Sequence, residues 1–369
     1  MDCRTTRITG ADLAALCVLA ARREICKFVF IRGSSFSEQR MRIGNIDIDY
    51  PLCLAPMEDV SDFPFRRMCK QQGADLLYTE FANCEALVRN VKRTLAKTVV
   101  RDEERPIAIQ IYGSAEGSME RAAEIAQEQG PDFIDINCGC WVKKIANRGD
   151  GAGLLRDLKK FEAVVRAVVR GTTLPVTVKT RLGWDDSSIV ILDVARMLED
   201  CGVQALTVHC RTRKQGYTGE ADWSWLPRIK EVTRVPLIAN GDIATPEDAV
   251  ECFRLGSDAL MIGRGAIHSP WIFEHIRHYL QTGEKLPAPG LAERVEMCLH
   301  HLTEQAAYRG ERRGVMSFRR HYAGYLKGER NIAKLRADLM QYEEVAPIRE
   351  RLYRYLEERD REMEEQITT

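Results

Sequence analysis

Phe-Ile-Asp-Ile-Asn-Cys-Gly-Cys, residues 133–140, is one of eight short apolar runs that end at polar or reactive side chains. The other seven runs lie between Leu52 and Ile262, and their ends carry Pro56-Met57, Glu80, Gln110, Lys179, His209, Asn240 with Asp242, and Gly263-Arg264. Strands that are buried on both faces read as near-continuous apolar runs, and helical stretches between them indicate βα units. The pattern predicts a (β/α)8 TIM barrel, whose chemistry lies at the C-terminal ends of its strands.

Helical periodicity fills the gaps between these runs. It predicts helices over residues 65–72, 119–129, 158–170, 190–200, 223–231, 246–255 and 271–280. The clearest start signal is Thr245-Pro246, where a capping hydroxyl precedes proline at the first helical position. Gly256 follows the last turn of that helix as its predicted C-terminal cap.

The chain has 369 residues, whereas a TIM barrel takes about 250, so a second domain is expected. We place the barrel at 41–283, because residues 283–290 break both periodicities and read as a linker. Beyond the linker, helices are predicted over 291–308, 317–327, 332–341 and 345–365. They predict a small α-helical bundle over 291–369.

Residues 1–40 form the part of the chain that fits no βα unit. Their apolar stretch at 13–21 is too short to cross a bilayer, which needs about 20 residues, and no clean signal-peptidase pattern follows it. Met41 and the residues after it resemble a natural start that leads into the first strand. We interpret 1–40 as a non-native or disordered extension, and we expect no membrane contact.

Charge and cysteine content limit the possible partners and compartment. The 54 basic and 54 acidic residues balance, so a polyanion would have to be bound by a local patch. The 12 cysteines are scattered without a CxxC pair, which favours reduced thiols in the cytoplasm and indicates no metal site. Nothing in the sequence implies a stable protein partner.

Three strand ends carry side chains suited to chemistry. Cys140 follows Gly139 at a barrel strand end, where a protonated thiol could serve as a general acid, or as a nucleophile if a cation lowered its pKa. Lys179 needs a partner if it is buried, either an anionic ligand or the carboxylate of Glu80 or Asp135. His209 is a ligand or a core histidine.

Two glycine turns close the predicted barrel. Gly241 and Gly263 follow the last two strands, where this fold commonly binds phosphate, and Arg264 adds a positive charge. Together with Lys179 and the Gln110 amide, they suit flavin mononucleotide (FMN). No G-x-G-x-x-G turn is present, so we expect a nicotinamide donor to bind only transiently.

The first half of the predicted bundle is strongly basic. Residues 309–336 hold nine Lys/Arg and two acids, with Phe318, Tyr322 and Tyr325 interleaved. Such a mixture could dock RNA through phosphate contacts and base stacking. It is equally typical of a solvated helix face above a core aromatic stripe.

Taken jointly, these motifs resemble the tRNA-dihydrouridine synthases, and the B-type bacterial branch above all. The resemblance covers the chain from Met41 to the last helix. It is carried by Leu-Ala-Pro-Met-Glu-Asp-Val-Ser-Asp at 54–62, Tyr-Thr-Glu-Phe at 78–81, residues 135–140, Val-Lys-Thr-Arg-Leu-Gly-Trp at 178–184, His-Cys-Arg-Thr-Arg at 209–213, Asn-Gly-Asp-Ile at 240–243, Ile-Gly-Arg at 262–264, and the tail segment 319–328.

The resemblance implies an FMN enzyme that uses NADPH to reduce uridines of the tRNA D-loop. Hydride would reach C6 of the base, and Cys140 would protonate C5. The implied flavin-binding positions are Pro56, Met57, Glu58, Gln110, Lys179, His209, Asn240, Gly241, Asp242, Gly263 and Arg264. The implied tRNA-binding positions are Arg211, Arg319, Arg320, His321 and Lys327.

Two residues depart from the family pattern. Trp141 stands where the family has proline after the cysteine, which could mis-aim Cys140, and Cys210 replaces a glycine after His209. Because of these departures, a catalytically weakened homologue that binds flavin and RNA stays an alternative interpretation. A flavin oxidoreductase for a small molecule and a phosphate-sugar isomerase barrel also stay open as functions of such a barrel.

Overall fold

The computed structural model describes residues 40–49 and 51–368, so the predicted extension lies outside the described residues except for Arg40. Two antiparallel strands come first, β1 (Arg40–Ile43) and β2 (Ile46–Asp49). The remaining strands are β3 (Leu52–Leu54), β4 (Leu77–Tyr78), β5 (Ala82–Asn83), β6 (Ile107–Tyr112), β7 (Phe133–Asn137), β8 (Val176–Arg181), β9 (Ala205–His209), β10 (Leu237–Asn240) and β11 (Ala259–Ile262).

Eight of these strands form a parallel barrel in the order β3-β11-β10-β9-β8-β7-β6-β4. A bridge between Cys53 and Leu76 joins the first and last strands, and the Leu54 N–H donates to the Leu76 carbonyl at 3.0 Å. β5 pairs only with the end of β6. The predicted (β/α)8 barrel is therefore confirmed.

The register of the strands places the polar residues at the strand ends at the same height along the barrel axis. Asn137 on β7 is the partner of Lys179 on β8, and His209 on β9 is the partner of Asn240 on β10. All barrel neighbours run parallel, so these side chains meet at the C-terminal end of the barrel.

The N-terminal end of the barrel is closed by the β1–β2 hairpin, which was not predicted from the sequence. Met41, Ile43 and Ile48 are buried and join the cluster that fills the barrel interior, including Phe133. Residues 41–45 thus belong to a hairpin over 40–49 instead of leading straight into the first barrel strand. The alternating apolar residues around Gly44-Asn45 were a hairpin signal.

Helices surround the barrel. The predicted ones occur as Phe63–Gln71, Glu116–Glu128, Leu158–Arg170, Ile191–Asp200, Trp225–Lys230, Pro246–Arg254 and Ile272–Thr282. The short ones in the loops were not predicted: Cys84–Val88, Lys92–Leu95, Lys143–Ala146 and Arg264–His268, with 3-10 turns at Ala96–Thr98, Asp102–Glu104 and Gly151–Arg156. The Thr245 side chain accepts the Asp248 N–H, as its predicted capping role requires.

The C-terminal helices are Leu291–Arg309, Glu311–Phe318, Tyr322–Tyr325, Ile332–Leu339 and Val345–Thr368. The predicted single helix over 317–327 was wrong. The chain turns at Gly310, with a positive φ of 82°, so the helix already starts at Glu311; it ends at Phe318, and a turn at 319–321 separates it from Tyr322–Tyr325. Phe318, Tyr322 and Tyr325 are fully buried in the core of this bundle. The aromatic stripe is therefore core. None of the helices within 40–49 and 51–368 is long and apolar enough to span a membrane.

The helical bundle packs against the rim of the barrel. Gln305 donates to the buried Asp62 carboxylate at 2.7 Å, and Arg309 pairs with the same oxygen. The turn Tyr322–Tyr325 lies so close to Arg264–His268 that a Cβ on Gly324 would be 2.1 Å from the Ile267 carbonyl oxygen. This contact places the bundle beside the C-terminal end of the barrel.

A buried ion pair anchors the loop after β3. Arg66 and Glu104 are 2.7 Å apart with side chains 4% and 0% exposed, and Arg66 also donates to the Ser61 carbonyl. We expect Glu104→Ala to lower the free energy of unfolding by about 3–5 kcal/mol, because it leaves a buried guanidinium without its counter-ion. The matched Glu103→Ala, at a half-exposed carboxylate, should cost less than about 1 kcal/mol. Urea denaturation compares them, and equal losses would contradict this role.

Candidate active site

A cavity of about 850 Å³ opens at the C-terminal ends of the barrel strands. Its volume lies within the roughly 300–1,000 Å³ typical of small-molecule and cofactor sites. Most residues singled out from the sequence line it: Pro56, Met57, Glu58, Cys140, Lys179, His209, Asn240, Gly241, Asp242, Gly263, Arg264 and Lys327. It also takes in Phe81, Arg181 and Tyr217, which were not selected from the sequence.

The thiol of Cys140 is held at this cavity by a turn after β7. The Asn137 side-chain oxygen accepts the backbone N–H groups of Gly139 at 3.1 Å and Cys140 at 2.9 Å. Burial raises the pKa of the Cys140 thiol, and the nearby positive charges of Arg181 and Lys179 only partly offset this. The thiol is therefore protonated at neutral pH, which suits a proton donor better than a nucleophile.

Gln110 lies beneath the cavity and does not line it. It is fully buried, its amide nitrogen donates to Asp135 at 2.6 Å, and its oxygen accepts from Asn137 at 2.9 Å. Both polar ends are thus used within the protein. The structure favours a supporting role, in which Gln110 orients Asn137 and through it the Cys140 turn.

Lys179 projects from β8 and donates to the Asn240 side-chain oxygen at 3.0 Å. Neither Glu80 nor Asp135 pairs with it, and no carboxylate within 51–368 lies in ion-pair distance of its ammonium group. Burial lowers the pKa of Lys179 to about 8, and the charge of Arg181 acts in the same direction. A half-buried cation without a carboxylate partner favours an anionic ligand.

His209 is neutral at the cavity wall. Burial, together with the positive charges of Arg181 and Lys179, lowers the pKa of its imidazole well below the usual value. Gly241 has φ +112°, and a Cβ there would come within 2.8 Å of the His209 ring. The glycine therefore lets the loop after β10 pass close to the imidazole.

Asp242 forms salt bridges with two arginines. Arg211 donates to its oxygens at 2.8 and 2.5 Å, and Arg264 donates at 2.7 Å. Burial acts to raise the pKa of Asp242, but these hydrogen bonds and charges outweigh it and hold the pKa below its usual value. Arg211 is itself buried, so its placement argues against the RNA contact expected of it and supports a role in bracing the loop after β10.

The residues expected to contact tRNA are divided by burial. Arg320 and Lys327 are exposed, and Lys327 reaches the cavity rim. Arg319 is partly buried and donates to the Tyr342 carbonyl. His321 is only 2% exposed and packs against Phe65, with ring centroids 5.1 Å apart. Its buried position argues against the direct phosphate contact expected of it.

Acidic side chains occur at one side of the opening. Glu58, Asp59 and Glu80 have carboxylate oxygens within 4.8 Å of one another. Lys97 pairs with Glu58 and lies 3.9 Å from Glu80, so the cluster has its own counter-ion. The Asp59 N–H also donates to Glu80 at 2.7 Å, which ties this loop to the end of β4.

The family of the chain follows from its similarity to known proteins. Residues 53–358 match the family described as dihydrouridine synthase (Dus). The chain belongs to the dihydrouridine synthase family. The predicted resemblance to this family is confirmed, and so is the prediction of an enzyme of this family.

Curated relatives of this dihydrouridine synthase family member confirm the predicted resemblance to the B-type branch. The tRNA-dihydrouridine synthase B of Pseudomonas aeruginosa is 41% identical over 78% of this chain and 86% of the relative. The probable tRNA-dihydrouridine synthase 1 of Synechocystis is 39% identical over 83% and 86%, respectively. Among solved structures, the old yellow enzyme homologue of Zymomonas mobilis aligns with 69% of this chain and 94% of its own chain. The sequence identity is 15% and the TM-score is 0.45. That likeness is too weak to bear on function.

The two departures from the dihydrouridine synthase pattern leave the site open. Cys140 still lines the cavity although Trp141 follows it, and the indole turns outward to the rim. Cys210 is fully buried, and its backbone N–H donates to the Asn240 carbonyl at 3.0 Å. All nine cysteines within the described part of the chain have free thiols.

Proposed function

We propose that this chain reduces uridines in the D-loop of tRNA to 5,6-dihydrouridine, with FMN as cofactor and NADPH as the hydride source. The observation that carries the proposal is the pairing of two groups in one cavity. The half-buried Lys179 lacks a carboxylate counter-ion within the described residues, and a protonated thiol at Cys140 lines the same space. Family membership supplies the reaction class.

The residues present fit a flavin. Lys179 offers a positive charge to the ring system, as the anionic and carbonyl groups of a flavin need. The Asn240 oxygen accepts from Lys179 and its nitrogen donates to the Met261 carbonyl at 2.7 Å, so Asn240 positions the ammonium and keeps one amide N–H for the cofactor. Gly241, Gly263 and Arg264 lie on adjoining loops where TIM barrels commonly hold phosphate. The cation content of the cavity suits the negative charge of a phosphorylated cofactor.

When bound, FMN would supply the chemistry of hydride transfer from NADPH to C6 of the uracil ring, held by Lys179 and by the loops that carry Gly241, Gly263 and Arg264. Cys140 donates its proton to C5, and its thiolate is then reprotonated from water. The raised pKa of Cys140 keeps the donor loaded at neutral pH. Neutral His209 and the Lys179 ammonium remain as hydrogen-bond donors around the reacting ring.

A uridine has to leave its stack to reach a cavity between barrel strands. We infer that the exposed cations of the helical bundle hold the tRNA while this happens, with Lys327 at the rim and Arg320 further out. The free cysteines and the tRNA substrate support a cytoplasmic location.

The test uses purified protein, FMN, NADPH and an unmodified tRNA transcript, with dihydrouridine measured by mass spectrometry of the digested RNA. We expect a yellow protein and a mass gain of about 2 Da on D-loop uridines, since reduction adds two hydrogens. A yellow protein that binds tRNA without this product would instead be the weakened homologue. A protein that cannot be loaded with FMN would contradict the flavin assignment altogether.

A further inference from the structure

Two aromatic side chains stand together at the rim of the cavity. Trp141 follows the Cys140 turn and is 37% exposed, and Tyr217 from the loop after β9 is 49% exposed. Their ring centroids lie 5.3 Å apart in an edge-to-face arrangement. Of the nine large apolar side chains exposed within the described residues, Trp141, Val142 and Tyr217 line this cavity. The rim therefore carries a concentrated apolar surface.

Arg181 holds the two aromatic loops in a fixed relation. From its buried position on β8 it donates to the Gly139 carbonyl in one loop at 3.0 Å. It also donates to the carbonyls of Thr212 and Gly216 in the other loop at 2.9 and 3.0 Å. Because its guanidinium bridges both turns, the aromatic pair is built into the fold.

The pair is also fixed by packing. A Cβ on Gly216 would lie 3.0 Å from the Trp141 ring, so the indole packs directly on this loop. The Arg264 guanidinium lies 4.7 Å from the Tyr217 ring centroid. Both contacts leave a large part of each ring open to solvent, which a core aromatic residue would not do.

Three exposed lysines lie close in sequence to the pair. Lys143 and Lys144 follow Trp141 and are exposed, as is Lys214 in the second loop. These three lysines have no ion-pair partner among the residues that the structure describes. Open aromatic rings beside unpaired cations match the surfaces that bind single-stranded nucleic acid, where bases stack and phosphates meet cations.

We propose that Trp141 and Tyr217 form a stacking platform for the nucleobase next to the uridine that is being reduced. This inference rests on the proposed function and adds a residue contact that determines how the RNA strand is held. Lys143, Lys144 and Lys214 bind the phosphates flanking that base. Stacking is tolerant of base identity, so the platform holds the strand without selecting its sequence.

The test measures binding of a short, fluorescently labelled, single-stranded RNA with the D-loop sequence to the FMN-loaded protein. We expect Trp141→Ala to raise the Kd about tenfold, the effect of losing one stacked base, and Trp141→Phe to recover most of the affinity. Trp225→Phe, on the outer helix after β9, is the control and should keep the wild-type Kd. Unchanged affinity in Trp141→Ala would overturn the platform.

A second readout separates the platform from the reaction. Indole fluorescence should be quenched when unlabelled RNA is added to wild type and to Trp225→Phe, and this quench should be lost in Trp141→Phe. Neither readout requires dihydrouridine formation, so a failure of the proposed reaction would leave them interpretable. If Trp141→Ala raised the KM for NADPH and left RNA binding intact, the pair would serve the nicotinamide donor, and the proposal would be wrong.

Discussion

Replacing Cys140 with alanine should lower the rate of dihydrouridine formation by about 10²–10⁴-fold, the usual contribution of a positioned general acid. The cause is the loss of the proton for C5, since the thiol lines the cavity in its protonated form. Reduction of the flavin by NADPH needs no proton from this residue and should persist. Single-turnover mixing of the pre-reduced enzyme with tRNA measures the step directly.

Cys138 supplies a matched control for this variant. It is the same residue type two positions away, but it is fully buried and does not line the cavity. Cys138→Ala should therefore affect stability more than the rate of base reduction. If the two alanine variants slowed base reduction equally, the loss would reflect damage to the turn, and the donor role of Cys140 would be disproved.

Lys179→Met should slow flavin reduction by roughly 10²-fold, because it removes a preorganised positive charge from the cavity. It should also weaken the binding of FMN. Stopped-flow absorbance at the flavin band measures the rate, and titration of the cofactor-free protein measures the affinity. Lys230→Met is a suitable control, since Lys230 pairs with Asp258 on the outside of the barrel.

The pH dependence of FMN binding gives an independent check on the role of Lys179. The pKa of Lys179 is lowered to about 8 by burial, so its ammonium loses the proton as pH rises above 8. An anionic ligand binds the protonated form better, and the affinity for FMN should fall above pH 8 by up to about tenfold per pH unit. Lys179→Met should lack this decline. A wild-type affinity that stayed constant from about pH 7 to 9.5 would contradict the assignment.

The barrel and the level of its polar side chains were predictable from the sequence. Strand runs buried on both faces are typical of few folds, and their C-terminal ends necessarily meet. Cys140, Lys179 and Asn240 could be placed at one opening for this reason. The β1–β2 hairpin was missed because residues 41–45 were interpreted as leading straight into the first barrel strand, although apolar and charged residues alternate on both sides of Gly44-Asn45.

Contacts between segments that are distant in sequence could not be predicted from local sequence patterns. Arg211 is buried because Asp242, 31 positions away, takes its guanidinium, and no periodic pattern reports such a pairing. Gln110 is directed below the cavity by Asp135 and Asn137 in the same way. Tyr217 belongs to an irregular loop, and its place at the rim depends on the bond from the distant Arg181 to the neighbouring Gly216 carbonyl.

The most direct test of the central claim is a map of dihydrouridine in tRNA from cells that lack this protein, before and after complementation. We expect one or a few D-loop positions to lose the modification, and wild-type protein to restore them. The Cys140→Ala protein, expressed at the same level, should restore none. Full restoration by the alanine protein would remove Cys140 from the mechanism, and an unchanged map in the deletion strain would contradict the function itself.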